Sequence, residues 1–223
     1  VMTACCFALP FEAKMLTGHM RSRWLLVLPV LCCANTESVS TLVSCDTTKG
    51  TLDIEVLHDW APKGAEHFIE LVKDGWYTDI AFFRAVENFL VQFGMNTDGA
   101  MRQKWEAKTI EDDPPQGIAF DRGTLSYAGS GPNSRTNQVF FSYAKNPGLG
   151  HSPWETPFGR VVEHSLPVLG SLYTGYGDMP PWGKGPDPRK ISELGNSYIR
   201  EKFPKIDFIK SCKVLDRPSS HDL

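Results

Sequence analysis

Apolar and polar residues alternate along two runs, Ser40–Asp46 and Thr51–Leu57, separated by a Thr-Lys-Gly turn at 48–50. Period-two alternation on both sides of a turn predicts a β-hairpin. The period then changes. Ala65, Phe68, Leu71 and Val72 form the stripe of a helix whose first turn suits Pro62 and which Gly75 stops. Strand-like runs return at 82–86 and 89–93, rich in aromatic and branched side chains and joined by the polar pair Glu87-Asn88. Residues 95–123, polar and carrying Asp112-Asp113-Pro114-Pro115, read as loop. Strands follow at about 124–128 and 139–143, and another within Trp154–Val162. A second helix begins near 165–172. Tyr176–Arg189 holds Gly/Pro-rich turns without periodicity and reads as an exposed insertion. A short helix near 192–202 and a last strand at 206–214 complete eight strands.

Residues 1–34 stand apart from this pattern. Met20-Arg21-Ser22-Arg23 is a short positive region, followed by an apolar run from Trp24 that ends in the small residue Ala34. That is the layout of a secretory signal peptide cleaved after Ala34. The run is shorter than the ~20 residues that span a bilayer comfortably. An uncleaved anchor and the first part of a two-step organelle presequence are the other readings. Cys5, Cys6, Cys32 and Cys33 lie in this segment, which leaves Cys45 and Cys212 in the first and last predicted strands. The expected organisation is a presequence at 1–34, one domain at 40–216 and a tail at 217–223.

Composition narrows the function classes. With 41% hydrophobic and 22% charged residues among 223, the chain is long enough for one domain with a sizeable core. The formal net charge is −3, and without residues 1–34 there remain 20 basic against 25 acidic residues. Lys and Arg are scattered with no basic stripe, which argues against a nucleic-acid partner. His151 and Glu155 have the i, i+4 spacing of a helical metal pair, but Pro153 between them spoils the helix. The sequence has no glycine-rich phosphate loop and no Ser or Cys nucleophile motif.

Two polar residues, Arg84 and Gln92, interrupt the apolar run 82–93. A guanidinium on an apolar strand must find partners or stay wet. The plain alternative is an edge-strand Arg reaching solvent, with Gln92 on a polar face. A second stretch, from Leu125 to Phe141, contains a Gly-Pro-Asn loop and again a Gln, Gln138, ahead of aromatic residues. Phe82, Arg84, Phe89 and Gln92 form F-x-R-x-x-x-x-F-x-x-Q. Ala128, Gly131, Pro132, Asn133, Gln138 and Phe140 form A-x-x-G-P-N-x-x-x-x-Q-x-F. In this order and separation the two motifs resemble those of the cyclophilin family of peptidyl-prolyl cis-trans isomerases. Gly175-Tyr176-Gly177-Asp178, Gly183-Lys184-Gly185-Pro186 and Glu193-Leu194-Gly195-Asn196 look like a bacterial and algal subgroup, so the similarity spans roughly 42–216.

The resemblance implies a mainly β fold, a closed eight-stranded antiparallel barrel capped by two main helices. It also implies a monomer acting on proline-containing polypeptide clients, with no cofactor and no metal. By similarity Arg84, Gln92 and Phe89 form the catalytic set, with Gln92 orienting the guanidinium. Leu90, Phe140 and Leu149 join Phe89 as floor and walls of a proline pocket. Ala128 and Gly129 match the backbone rail before the proline, and Gln138 matches a second Gln of the site. The first and last strands of such a barrel are close, so Cys45 and Cys212 are expected either as a disulfide or as two buried thiols.

The chain also departs from the pattern. Val139 replaces a Phe, a change expected in the core. Gly148-Leu149 replaces the family's Trp-Leu at the pocket rim, which implies weak cyclosporin binding. No residue clearly matches the family's pocket-edge His; plain counting reaches Glu155, with Trp154 and His151 nearby. Trp154 either caps the pocket or is an ordinary half-buried residue before a strand. The functional expectation is an isomerase of the secretory pathway, in the endoplasmic reticulum lumen or secreted, with a plastid as the alternative. The rivals are a non-catalytic proline-binding module and a structural subunit that docks through 176–189.

Overall fold

A computed structural model of the protein describes residues 39–215. The expected presequence 1–34 with its four cysteines, and the tail 217–223, lie outside the described residues. The predicted hairpin forms as β1 (Ser40–Thr47) and β2 (Gly50–Leu57), with Val43 and Cys45 of one strand and Leu52, Ile54 and Val56 of the other fully buried. Helix α1 (Pro62–Lys73) buries the stripe Ala65, Phe68, Ile69, Leu71 and Val72 and stops before Gly75, at φ 83°. Its first turn has no side-chain cap of its own. Asp113 supplies one instead, accepting from the Lys63 and Gly64 backbone N–H groups at 3.1 and 2.9 Å.

The remaining strands are β3 (Ile80–Ala81), β4 (Arg84–Val86), β5 (Leu90–Phe93), β6 (Thr124–Tyr127), β7 (Val139–Ser142), β8 (Gly159–Val161) and β9 (Phe208–Leu215). All pairings are antiparallel, in one sheet of order β3-β9-β1-β2-β8-β6-β7-β5-β4. The fold is thus mainly β, but the described sheet has nine strands where eight were expected. The extra one is Ile80–Ala81, two residues pairing with Ile209 and Phe208 of β9. Two residues are too few to show a period. The run read as one strand at 82–86 is a strand only over Arg84–Val86, and Phe82 and Phe83 form a crossing. Ala81 ends on β9, and Arg84, after Phe82 and Phe83, begins β4 at the other edge of the sheet.

Helices α2 (Gly99–Trp105), α3 (Leu166–Ser171) and α4 (Pro188–Lys202) complete the structure, with 3₁₀ turns at Pro153–Glu155 and Glu163–Ser165. The sequence reading is corrected in three places. The stretch expected as loop contains α2, whose signals are Asp98 as N-cap to Met101 N–H (2.9 Å) and the i, i+4 pair Arg102–Glu106. The second main helix is α4 rather than the six-residue α3. It starts at Pro188 behind an Asp187 cap and carries a kink at Gly195. The expected exposed insertion is exposed at Pro180, Pro181, Trp182 and Lys184, but its flanks fold inward: Tyr176 and Met179 pack on a cluster containing Ile191, Ile199 and Phe208, and Gly185 and Pro186 are buried.

Register sorts the side chains onto two faces, because residues directly opposite across an antiparallel ladder share a face. One row, Ala85–Val91–Phe141–Leu125, belongs to the main core, as do Phe93, Val139 and Tyr127 in the parallel row. Each large apolar side chain buried there contributes about 1.5–3 kcal/mol. Val139 is fully buried in this core, in keeping with the expectation that its replacement of Phe concerns packing. Cys45 stands directly opposite Cys212 on neighbouring β1 and β9, and the two are joined as a disulfide across 167 residues.

Candidate active site

The alternate row across the same four strands is Arg84–Gln92–Phe140–Ser126, on the face opposite the core. It is built by the tight turn after β4, where Phe89 N–H donates to the Val86 carbonyl at 3.0 Å and Asn88 adopts φ 58°. Asn tolerates that left-handed backbone better than most residues. The turn sets β4 and β5 in the register that brings Arg84 opposite Gln92.

The polar groups of this face form a directed line. Arg84 donates from Nη1 to Gln92 Oε1 at 3.2 Å, and Gln92 donates from Nε2 to Gln138 Oε1 at 2.9 Å. On its other side Arg84 donates from Nε and Nη2 to the two carboxylate oxygens of Asp178, at 2.7 and 3.1 Å. The guanidinium lies 5.9 Å from the centre of the Phe89 ring. Both members of the ion pair are half-buried, with 18% and 21% of their side-chain surface exposed, so Arg84 is held yet reachable from solvent.

Beside this line lies an apolar cluster separate from the core. Leu90, Phe120 and Phe140 are buried in it, and Phe89, Ala128 and Leu149 pack against them. Phe120 stacks on Phe140 with centroids 5.8 Å apart and planes 13° from parallel. Every residue expected to line the proline pocket is therefore in one cluster. Gly129 borders it, and its Cα faces Trp154: a Cβ added there would lie 2.8 Å from the Trp154 Cβ. A larger residue such as Asn at this position would collide with the indole. Glycine and Trp154 are thus a matched pair, and Trp154 is half-buried against the rail.

Glu155 and His151 are engaged within their own loop. Glu155 Oε2 accepts from Gly150 N–H at 3.2 Å, and His151 Nε2 bonds the Pro147 carbonyl at 2.8 Å. Among the described residues no group of three His, Cys, Asp or Glu side chains is arranged to hold a metal ion. Gly148, where the family carries Trp, is exposed, and a Cβ built on it meets nothing within 4 Å.

Sequence reading missed two residues of this site. Phe120 was the lone aromatic at the end of a polar stretch, and nothing local marks it as a partner of Phe140. Asp178 lay in the segment read as an insertion. Its signals were the Gly175-Tyr176-Gly177-Asp178 run and the glycines and prolines of 175–186 that bracket the carboxylate.

The model of the family described as cyclophilin type peptidyl-prolyl cis-trans isomerase/CLD matches residues 42–185. The chain belongs to this family. The peptidyl-prolyl cis-trans isomerase CYP18-1 of Arabidopsis thaliana is 34% identical over 143 residues, 62% of this chain and 88% of that protein. A peptidyl-prolyl cis-trans isomerase of Acinetobacter baylyi is 32% identical over 148 residues, 65% of this chain and 78% of that protein. Peptidyl-prolyl cis-trans isomerase-like 2 of Gibberella zeae is 36% identical over 121 residues, but the chain spans only 21% of the length of that curated relative. Among solved structures, a cyclophilin type peptidyl-prolyl cis-trans isomerase of Cryptosporidium parvum matches 81% of this chain and 100% of its own, with TM-score 0.57 and 22% identity. That likeness concerns the fold.

Proposed function

We propose that the protein is a peptidyl-prolyl cis-trans isomerase that rotates X–Pro bonds in flexible or unfolded chains and so assists their folding. Amide resonance sets a barrier of roughly 18–20 kcal/mol to this rotation. At the twisted transition state the prolyl nitrogen becomes pyramidal and regains a lone pair. A fixed donor aimed at that lone pair stabilises the transition state more than the ground state, which is what accelerates a reaction. The observation that carries the reading is Arg84 held by Gln92 beside the apolar cluster of Phe89, Leu90 and Phe140. The cluster takes the proline ring, the guanidinium meets the nitrogen, and the backbone of Ala128 and Gly129 runs along the residues before the proline. Catalysis of this kind requires no cofactor or nucleophile.

The test is a proline-isomerisation assay on the full chain beside Arg84→Ala. Loss of one transition-state donor typically costs about 10²–10³ in rate, so turnover should fall by at least about 100-fold in the variant. A folded wild-type protein without turnover on any X–Pro peptide overturns the enzyme reading and favours a proline-binding module.

Three further readings accompany this proposal. The sheet is read as a closed barrel, because its edge strands β3 and β4 are joined by only Phe82 and Phe83. The protein is read as acting as a monomer on polypeptides rather than nucleic acid; among the described residues no helix is long and apolar enough to cross a membrane. Entry into the secretory pathway, to the endoplasmic reticulum lumen or the exterior, is supported by the residue pattern of 20–34 and by the Cys45–Cys212 pair, since disulfides persist in oxidising compartments. A plastid reached through a two-step presequence is the alternative.

A further inference from the structure

The loop between α3 and α4 is built around a single carboxylate. On either side of Asp178, Tyr176 and Met179 are anchored in the cluster of Ile191, Ile199 and Phe208, and the Tyr176 ring meets Phe203 edge-on at 5.1 Å. Just before Asp178, Gly177 forms an antiparallel bridge with Ala85, the residue next to Arg84. Just after it, the chain doubles back so tightly that Gly185 N–H donates to the Asp178 carbonyl at 2.8 Å and Gly183 N–H donates to the Met179 carbonyl at 3.0 Å. At Gly183 a Cβ would lie 2.2 Å from the Asp178 carbonyl oxygen, so only glycine permits the approach. Backbone, apolar anchors and close glycine packing converge on one side chain, and that side chain meets Arg84.

The geometry points to Asp178 as a positioning residue for Arg84, an inference that rests on the isomerase reading of the site. A guanidinium has five N–H donors in a fixed plane. Asp178 takes two of them along the Nε/Nη2 edge, and Gln92 takes one at Nη1. One N–H on each Nη atom remains for other acceptors. A bidentate carboxylate fixes the plane as well as the position of an Arg, which a single bond to Gln92 cannot do. With the Nε/Nη2 edge occupied, substrate meets Arg84 only through its end. Asp178 also offsets the charge of Arg84, so the site binds a neutral X–Pro segment without a net cation. The glycine- and proline-rich segment thereby gains a role: it carries the second clamp of the guanidinium.

The experiment compares kcat and KM of the wild type with Asp178→Asn and Asp178→Ser, together with the Arg84 Nε–H resonance in a side-chain nitrogen NMR spectrum. Both variants keep an oxygen for the Met179 N–H that Asp178 Oδ1 accepts at 2.7 Å, so the loop retains its local bond. Asn loses the paired carboxylate oxygens, and Ser loses the reach. The expected result is a fall of about ten-fold or more in kcat with KM within about two-fold, because binding in the apolar cluster is untouched while transition-state stabilisation is lost. The Arg84 Nε–H signal should shift and exchange faster with water. Asp178→Glu, which keeps the carboxylate, should recover part of kcat. The inference is overturned if either folded variant keeps wild-type kcat or exceeds it, or if kcat falls with the Arg84 Nε–H signal unmoved. A wild type without turnover is a different result, which sinks the isomerase reading itself.

Discussion

Gln92 stands directly opposite Arg84 across the β4–β5 ladder, and its amide is committed in one direction: Oε1 accepts from Arg84 and Nε2 donates to Gln138. The bond to Arg84 is charge-assisted, a class worth about 1.5–3 kcal/mol when broken. Gln92→Ala should therefore lower kcat/KM by roughly ten-fold or more. Steady-state kinetics on an X–Pro peptide checks this, and an unchanged kcat/KM would remove Gln92 from the machinery.

Asp113 is a structural hub. Its carboxylate accepts from Arg135 Nη1 at 3.0 Å and from two N–H groups of the first turn of α1, and Arg135 has no exposed side-chain surface. Removing Asp113 breaks this buried pair and leaves the Arg135 charge with only the longer contact to the Asp112 carboxylate at 3.4 Å, at a cost of about 3–5 kcal/mol. Asp113→Ala should lower the melting temperature by roughly 6–20 °C for a domain of this size. Thermal denaturation followed by circular dichroism gives the answer.

The Cys45–Cys212 bond closes 167 residues of chain. In the chain-entropy account such a cross-link restricts the unfolded state, and its loss costs about 2–5 kcal/mol. The double variant Cys45→Ala, Cys212→Ala should unfold at lower urea, and the wild type in strong reductant should move towards it. Coincident urea curves for oxidised and reduced protein would contradict the assignment.

His67 lies against Trp105 and Tyr127, and burial lowers its pKa below the usual 6.5 despite bonds to Asn137 and the Thr136 carbonyl. The unfolded chain takes up this proton near pH 6.5, the folded chain only at lower pH. Between the two values the unfolded state binds more protons, so stability rises with pH. The contribution of His67 is complete above pH 6.5 and is lost as acidity increases towards the lowered value. Urea unfolding across this window should show that slope in the wild type and a shallower one in His67→Gln.

Gly129 and Trp154 should behave as a coupled pair. Gly129→Asn drives a side chain into the indole, and overpacking of this kind costs about 1–3 kcal/mol. The fluorescence of Trp154 should move to longer wavelength as the ring is displaced. Adding Trp154→Ala should restore most of the stability, and simple additivity of the two losses would contradict the pairing.

Much of the site was legible because it rests on local periods. The run 82–93 carries Arg84 and Gln92 eight residues apart on antiparallel strands, so their meeting follows from the intervening turn. Leu90 and Gln92 face one way while Val91 and Phe93 face the core, as strand alternation requires. Strand β3 and helix α2 escaped because two residues, or seven with only Met101 and Trp105 one turn apart, are too short to generate a clear apolar stripe. Asp178 and Phe120 escaped for another reason: their partners lie far along the chain, Asp178 Oδ1 being 94 residues from its Arg84 donor.

Local pattern was enough to set which faces the strands present, where α1 starts and stops, and which family motifs carry Arg84, Phe89, Gln92 and Gln138. These follow from steric periods and turn preferences that act over a few residues. Three contacts emerge only in the folded chain: a glycine-rich segment holds Arg84 from a second side, Phe120 backs Phe140, and Trp154 lies on Gly129. Those contacts depend on where the chain returns after long excursions. That return is set by the order of the strands in the sheet and by the burial of Tyr176 and Met179, which no local pattern encodes.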